Sequence, residues 1–530
     1  MKRKIAGLLS ACTILTFGAG SALADYDLRI LHTNDVHDRV ESVTKYNNSC
    51  SAEDETEGKC FGGYARLATA IRDNRAMGGN ILVVDAGDQF QGSLYYSTYK
   101  GSHLADLMNL VDYDAMAVGN HEFDDGPDVL ANFIRASTTP ILSANIQASV
   151  DNLNQLIKPE TIVTVGGERI GVVGLTTPET ADISSAGPNI VFNDLATSLQ
   201  DSVNRLQAQG INKIVALSHS GSYADFDIAG KVSGVDVIVG GHDHLLFSNT
   251  VEKASHPYPV VKKDLNGNPV LIVQAYAYTR YLGNLAVTFD DDGVAKAWSG
   301  EPITLDASIK PAEDVLAKIA EVSGAVDAVR TVEVGSFTTA ADGSRESCRA
   351  MECAMGSLIA DAMLWKAGEG YQIAIQNGGG IRASIDEGTV TMGEVLTVLP
   401  FQNALATFKL TGADVVASLE HGVSMVSEGK GQFPQVSGLK FDLDLNAPVG
   451  SRISNVMVDE GGTFVPIDPA KTYGVVSNDF MRNGGDGYAL FRDNATDVYD
   501  FGPNLEQAVA EYIGMNSPMT PATHDRIMMK

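Results

Sequence analysis

Positive charge is scarce in this chain. Thirty-eight Lys and Arg stand against 66 Asp and Glu, a net charge of −28 over 530 residues. Such a surface repels nucleic-acid polymers and anionic lipid, so neither is an expected partner. It suits a soluble protein in a salty or extracytoplasmic medium. A small anionic substrate would need local Arg or metal charge to offset the global field. Long apolar runs are also missing: after the first two dozen residues no segment is long enough to span a bilayer. No internal repeat or low-complexity tract appears. Cysteine is sparse, at five residues.

The N-terminus reads as a secretion signal, residues 1–24. Met1-Lys-Arg-Lys4 is a basic start, Ile5 to Gly20 is mostly apolar, and Ala22-Leu-Ala24 is a cleavage site of the A-x-A kind. This points to a periplasmic or secreted protein. The alternative is an outer-membrane lipoprotein, because Leu9-Ser-Ala-Cys12 resembles a lipoprotein box, with Cys12 as the anchor. Cleavage after Ala24 removes Cys12 and leaves two close pairs, Cys50 with Cys60 and Cys348 with Cys353. An even count with local pairing in an exported chain reads as two disulfides, against the alternative of four free thiols. Neither pair has the two-residue spacing of a zinc knuckle.

At 44% hydrophobic the chain is globular, and its length calls for two or three domains. Its first half repeats one form: an apolar run, then at once or nearly so an Asp or His. Asp27–Leu31 precedes Asp35 and His37, and Ile81–Val84 precedes Asp85 and Asp88. Asp114–Val118 precedes Asn120, His121, Glu122 and Asp124. Lys213–Leu217 precedes His219, and Val235–Val239 precedes His242 and His244. Strand patterns, with Ile141–Asn145 and Ile170–Leu175 among them, alternate with helical spacing at Gly63–Arg75, His103–Leu110 and Leu199–Gln209. This predicts an α/β fold with reactive groups at strand C-termini. Val270–Val287 and the Asp290-Asp-Asp-Gly turn are expected to close this domain with antiparallel strands. Pro311–Arg330 has helical spacing and reads as a linker helix, and 331–530 as a second α/β domain.

The candidate ligands are Asp35, His37, Asp88, Asn120, His219, His242 and His244. Carboxylate and amide oxygens mixed with imidazole suit zinc, manganese or similar ions. Seven donors exceed one tetrahedral ion and suit two ions sharing a carboxylate, held ~3.5–4 Å apart. A single His after a strand would be an ordinary loop residue; five such strand ends are not.

Asp35-x-His37, Gly87-Asp88, Gly119-Asn-His-Glu122, His219 and Gly241-His-x-His244 resemble, in order, the motifs of calcineurin-like metallophosphoesterases. The wider resemblance, over essentially the whole mature chain, is to the 5′-nucleotidase family. This group includes bacterial periplasmic UDP-sugar hydrolase/5′-nucleotidases and animal ecto-5′-nucleotidases. The resemblance implies a four-layer metallophosphoesterase sandwich over 25–310, a linker helix at 311–330 and a nucleotide-binding α/β domain over 331–530. It implies two divalent ions, zinc or manganese first and cobalt or magnesium as alternatives. One would be held by Asp35, His37, Asp88 and His244, the other by Asp88, Asn120, His219 and His242. His121 and Asp124 match the catalytic dyad; the plainer reading of Asp124 is an N-cap of the following helix.

In the second domain the resemblance assigns Arg349, Asn377, Gly379, Arg382, Phe401, Asn403, Phe480 and Asp486 to the nucleotide. Phe401 and Phe480 would stack on the base; read alone, both would be core residues. Arg349 lies inside the Cys348–Cys353 loop, and Arg382 follows three glycines. Asp486, otherwise a turn former, matches a ribose acceptor. The implied activity is release of phosphate from nucleoside 5′-monophosphates by metal-activated water, with rotation of one domain against the other about the Pro311–Arg330 region. Alternatives on the same site are a 2′,3′-cyclic nucleotide phosphodiesterase or a UDP-sugar hydrolase. A nucleoside-binding surface protein without catalysis is the alternative of another class.

Overall fold

The computed structural model describes residues 25–530, apart from 45–49, 51, 150–152, 154, 400, 402 and 501. The expected signal segment, residues 1–24, and Cys12 within it lie outside the described residues.

The first domain runs β1 (Tyr26–Thr33), α1 (Tyr64–Ala76), β2 (Ile81–Asp85), α2 (Ser102–Val111), β3 (Ala115–Ala117), α3 (Pro127–Ala136) and β4 (Ile141–Leu142). It continues with β5 (Glu160–Val165), β6 (Glu168–Thr176), α4 (Leu195–Ala208), β7 (Ile214–His219), α5 (Ser222–Ala229) and β8 (Val237–Gly240). β9 (Val260–Lys263), β10 (Pro269–Val273), β11 (Tyr281–Phe289) and β12 (Ala295–Gly300) complete it.

These strands form two sheets, in the orders β12-β11-β1-β2-β3-β4 and β9-β10-β8-β7-β6-β5. The central strands of each are parallel, β1 to β4 in one and β10, β8, β7 and β6 in the other. Strands buried on both faces read as unbroken apolar runs, which is why Ile81–Val84 and Val237–Val239 show no alternation. The sheets share one core, with Leu28, Ile30, Leu82 and Val84 from the first and Val172, Val215, Ile238 and Ile272 from the second. The helices α1, α2 and α3 bury a second cluster on the outer face of the first sheet. The result is the expected layered sandwich.

Three local expectations are corrected. β10 is antiparallel to β9, as expected, but runs parallel to its other neighbour β8, because the chain crosses over between them; β11 and β12 pair antiparallel. The strand at Ile141 is two residues long rather than five. The cap of α3 is Gly126, so Asp124 is free of that duty.

The segment expected as a linker forms α6 (Glu313–Arg330). Val315, Ile319 and Val326 are buried in the first domain's helical core, with Val322 and Val329 packed against it. Arg72 pairs with both oxygens of Asp314 at 2.8 Å, and Arg330 meets Glu41 at 2.9 Å. This helix therefore packs on the first domain, and Leu396 of the second domain reaches the same cluster.

The second domain has a five-stranded sheet in the order Pro434–Ser437, Ile373–Asn377, Thr472–Asn478, Leu405–Thr411, Thr496–Tyr499. Apolar clusters lie on both faces, one built from Leu358, Ile359 and Val509, the other from Phe408, Leu419 and Phe441. Both cysteine pairs are disulfides, with Cα–Cα distances of 6.0 Å for Cys50–Cys60 and 5.1 Å for Cys348–Cys353. Among the described residues no helix is long and apolar enough to cross a membrane.

Candidate active site

All seven candidate ligands lie just past strand C-termini: Asp35 and His37 after β1, Asp88 after β2, Asn120 after β3, His219 at the end of β7, and His242 and His244 after β8. The first sheet thus supplies Asp35, His37, Asp88 and Asn120, and the second supplies the other three. Asp35, His37, Asp88, Asn120 and His219 are buried, with Asp35 and His219 fully so. Five of the seven positions, Asp35, His37, Asp88, His242 and His244, hold left-handed backbone at φ 50–85°. Each costs a non-glycine residue about 1–3 kcal/mol, strain of the sort that collects at functional sites.

The donor atoms fall into two groups joined by Asp88. His37 Nε2 and His244 Nε2 face each other at 2.9 Å, with Asp35 Oδ1 3.5 Å from His244. His219 Nε2 lies 3.0 Å from Asp88 Oδ2 and 3.2 Å from Asn120 Oδ1, and His242 Nδ1 is 2.9 Å from the same Asn120 oxygen. The Oδ2 of Asp88 is also 3.9 Å from His37 Nε2. His219 donates its Nδ1–H to the Ala86 carbonyl (2.8 Å), which turns the Nε2 lone pair inward. Burial and the neighbouring His244 push His37 well down, and burial holds His242 and His244 down to about 4. All three are therefore neutral imidazoles with a lone pair to give. Burial pushes the Asp35 carboxyl up. Two imidazole nitrogens and two carboxylates facing one another across such gaps are the donors a divalent cation requires.

Beside this cluster stands His121. Its Nδ1 donates to Asp124 Oδ2 at 2.6 Å. Burial opposes its charge, but the Asp124 and Asp88 carboxylates prevail and push it up to about 10, so the ring is cationic. Asp124 is itself fixed by Ser184 Oγ at 2.9 Å and Gln91 Nε2 at 3.2 Å.

The second domain gathers its candidates at the C-terminal end of Ile373–Asn377. Asn377 donates to Asp486 Oδ2 (2.7 Å), and Arg382 donates to the Gly379 carbonyl (3.1 Å) while its guanidinium lies 5.4 Å from the centre of the Phe401 ring. Arg349 bonds the Gly429 carbonyl (3.4 Å) on the neighbouring loop. Phe480 is 46% exposed beside the Gly485 turn, and Phe401 is half-buried, so neither is an ordinary core residue. Asn403 is half-buried next to Ala404, whose carbonyl accepts the Asp479 N–H at 3.0 Å. Asp479, on the turn before Phe480, has its carboxyl pushed up to about 6 by burial, with the charge on His121 of the first domain acting the other way.

A family model described as calcineurin-like phosphoesterase matches residues 28–246, and one described as the 5′-nucleotidase C-terminal domain matches 330–493. The snake venom 5′-nucleotidase of Gloydius brevicauda is 38% identical, over 99% of this chain and 92% of its own. The crystal structure of a 5′-nucleotidase precursor from Thermus thermophilus is 39% identical, covers 95% of this chain and 99% of its own, and superposes with a TM-score of 0.68.

The chain belongs to the 5′-nucleotidase family.

A second solved structure, Haemophilus influenzae NAD nucleotidase, is 28% identical over 96% of this chain and 99% of its own, with a TM-score of 0.68. Membership of the 5′-nucleotidase family makes this a metal-dependent hydrolase with divalent ions, and the donor set above fits them.

Glu122, expected among the reactive groups presented after β3, turns inward instead, and Asp243 and Tyr278 were not singled out from the sequence. Glu122 is fully buried and ties two ligand loops together. Asp243, between His242 and His244, accepts from the Ser222 N–H (2.8 Å), the Ser222 hydroxyl (2.6 Å) and Gln274 Nε2 (2.6 Å). Tyr278, at φ 59°, lays its ring 5.7 Å from His37 and 5.5 Å from His244. The partners of Asp243 come from α5 and the end of β10, and no local pattern announces them.

Proposed function

We propose that this protein releases phosphate from nucleoside 5′-monophosphates in an extracytoplasmic compartment. The observation that carries this reading is the placement of Asp88 Oδ2 between the two donor groups, with the His121–Asp124 pair beside it. One ion is assigned to Asp35, His37, Asp88 and His244 and the other to Asp88, Asn120, His219 and His242, with zinc or manganese as the expected metals. When bound, the ions supply Lewis acidity and an activated water.

The chain's own residues do the rest. Cationic His121, held by Asp124, stabilises the negative charge that builds up on the phosphoryl oxygens. Phe401 and Phe480 stack on the base, Asp486 accepts from the ribose, and Arg349 and Arg382 bring positive charge where the surface has little. The division into 25–310, 311–330 and 331–530 assigns metals to one domain and nucleoside to the other. Because α6 packs on the first domain, the rotation is taken up after Arg330, about Thr331–Glu333. The two disulfides accord with export to the periplasm or beyond.

A second reading, cleavage of a nucleoside pyrophosphate such as NAD or a UDP-sugar, is favoured by the likeness to the Haemophilus influenzae NAD nucleotidase. One experiment separates the readings. Metal-stripped protein, restored with zinc or manganese, is given AMP, 2′,3′-cyclic AMP, UDP-glucose and NAD side by side. Phosphate release from AMP that appears only with metal supports the first. No turnover of any of the four, with adenosine still bound, would make the protein a nucleoside-binding module.

A further inference from the structure

Glu122 sits on a single turn of 3-10 helix, His121–Phe123, directly after the ligand Asn120. Its side chain points away from the donor atoms into the protein, where it is completely buried. There one carboxylate accepts four main-chain N–H groups. Oε1 takes those of Gln89 (2.8 Å) and Phe90 (3.1 Å), and Oε2 takes those of Asp88 (3.0 Å) and Gly119 (2.6 Å). Three of the donors are consecutive residues of the Asp88 loop, and the fourth precedes Asn120.

The tie is reciprocal. Asp88 Oδ1 accepts the His121 N–H at 2.9 Å, which leaves Oδ2 to face His219 and His37. No slack remains between the loops: a Cβ at Gly119 would come within 2.1 Å of Asp88 Oδ1 and 2.8 Å of Glu122 Oε2.

We infer that Glu122 is the positioning residue of the metal centre. It aims the shared carboxylate of Asp88 at both donor groups and keeps that loop in step with Asn120 and His121. A carboxylate is the one side chain that offers only acceptors on both atoms. Gln has the same shape, but its NH2 would confront two of the four N–H groups in either orientation and strip them of a partner. Correctly paired, it fixes both loops; mismatched, it releases them.

This inference rests on the two-ion reading, and the test tells their failures apart. Full-length wild type, E122Q and E122D are stripped of metal and titrated with Co2+ alone, followed by visible absorption and calorimetry. Circular dichroism and melting of the metal-free forms run alongside. E122Q is expected to keep its circular dichroism, to bind cobalt ~10–100-fold more weakly, and to show an altered visible band. E122D, which keeps the charge with a shorter reach, falls between. A merely structural glutamate would lower the melting point and leave cobalt affinity and spectrum unchanged, and that result overturns the inference. Should E122Q not fold, E122D decides it by the same measurements; if neither accumulates as folded protein, the residue serves folding and the inference fails. A wild type that takes up no pair of cobalt ions overturns the two-ion reading itself and this inference with it.

Discussion

Replacing His121 with Ala removes a cationic side chain that stands beside the donor cluster and leaves the ligands in place. A positioned proton donor or charge stabiliser contributes ~10²–10⁴ in rate, so kcat/KM for AMP should fall by that factor, about 2.7–5.5 kcal/mol. Asp124→Asn tests the partner. The Asp124 carboxylate meets His121 at 2.6 Å and is held from behind by Ser184 and Gln91. A hydrogen bond to a charged group is worth ~1.5–3 kcal/mol, which gives a loss of roughly 10–150-fold.

The two losses should not add, because Asp124 acts only through the imidazole: His121→Ala with Asp124→Asn should be no slower than His121→Ala alone. The pH profile supplies the sign. Asp124 and Asp88 raise the His121 pKa, so loss of one carboxylate lets the imidazolium deprotonate earlier. The alkaline limb of kcat/KM in Asp124→Asn should therefore move to lower pH. The assay is steady-state phosphate release from AMP across pH with saturating metal, with metal content measured for each variant. A His121→Ala enzyme that keeps more than a tenth of the activity, or a double variant whose losses multiply, would refute the dyad.

Phe480→Ala should raise KM for AMP by roughly 5–150-fold, since stacking on a base is worth ~1–3 kcal/mol, and leave kcat within about twofold. Its exposed ring carries little of the fold, so an unchanged KM counts against a base-stacking role. Glu506 is 2% exposed, and burial, with Asp479 adding to it, pushes its carboxyl from 4.5 up to about 7. The folded protein then binds a proton that the unfolded chain has already lost, so this residue's contribution is full below pH 4.5 and declines to pH 7. The span corresponds to about 3 kcal/mol. Measured by denaturant unfolding, the stability of wild type relative to Glu506→Gln should fall over that window and stay level above it; a constant difference would contradict the assignment.

The strand ends that carry Asp35, Asp88, Asn120, His219 and His242 were legible because a doubly buried parallel strand leaves an unbroken apolar run, and the reactive group follows it at once. The disulfides were legible from short spacing. The direction of β10 was not, since a crossover and a hairpin both end in an apolar run and only the pairing with Val237–Val239 distinguishes them. Asp124 satisfied the pattern of a helix cap, yet the chain advances two residues further and uses Gly126. Glu122 was visible as a motif letter, but its task depends on N–H groups 32–34 residues upstream. Tyr278 carries no signal at all: its place over two histidines follows from a left-handed backbone whose N–H is held by the Asp35 carbonyl, with Asn34 holding the carbonyl of Tyr276 two residues earlier.

Each proposed ion draws donors from both sheets: Asp35, His37 and Asp88 meet His244, and Asp88 with Asn120 meets His219 and His242. The metals would then act as rivets through the sandwich. Fragments made by cutting the chain between the sheets would each hold part of a site and bind neither ion well. A slip of one layer against the other, even from a substitution deep in the apolar interior at Val172 or Ile272, would register at the surface as weakened cation retention before any loss of secondary structure. Metal content would thus serve as a sensitive gauge of how well the two sheets are seated.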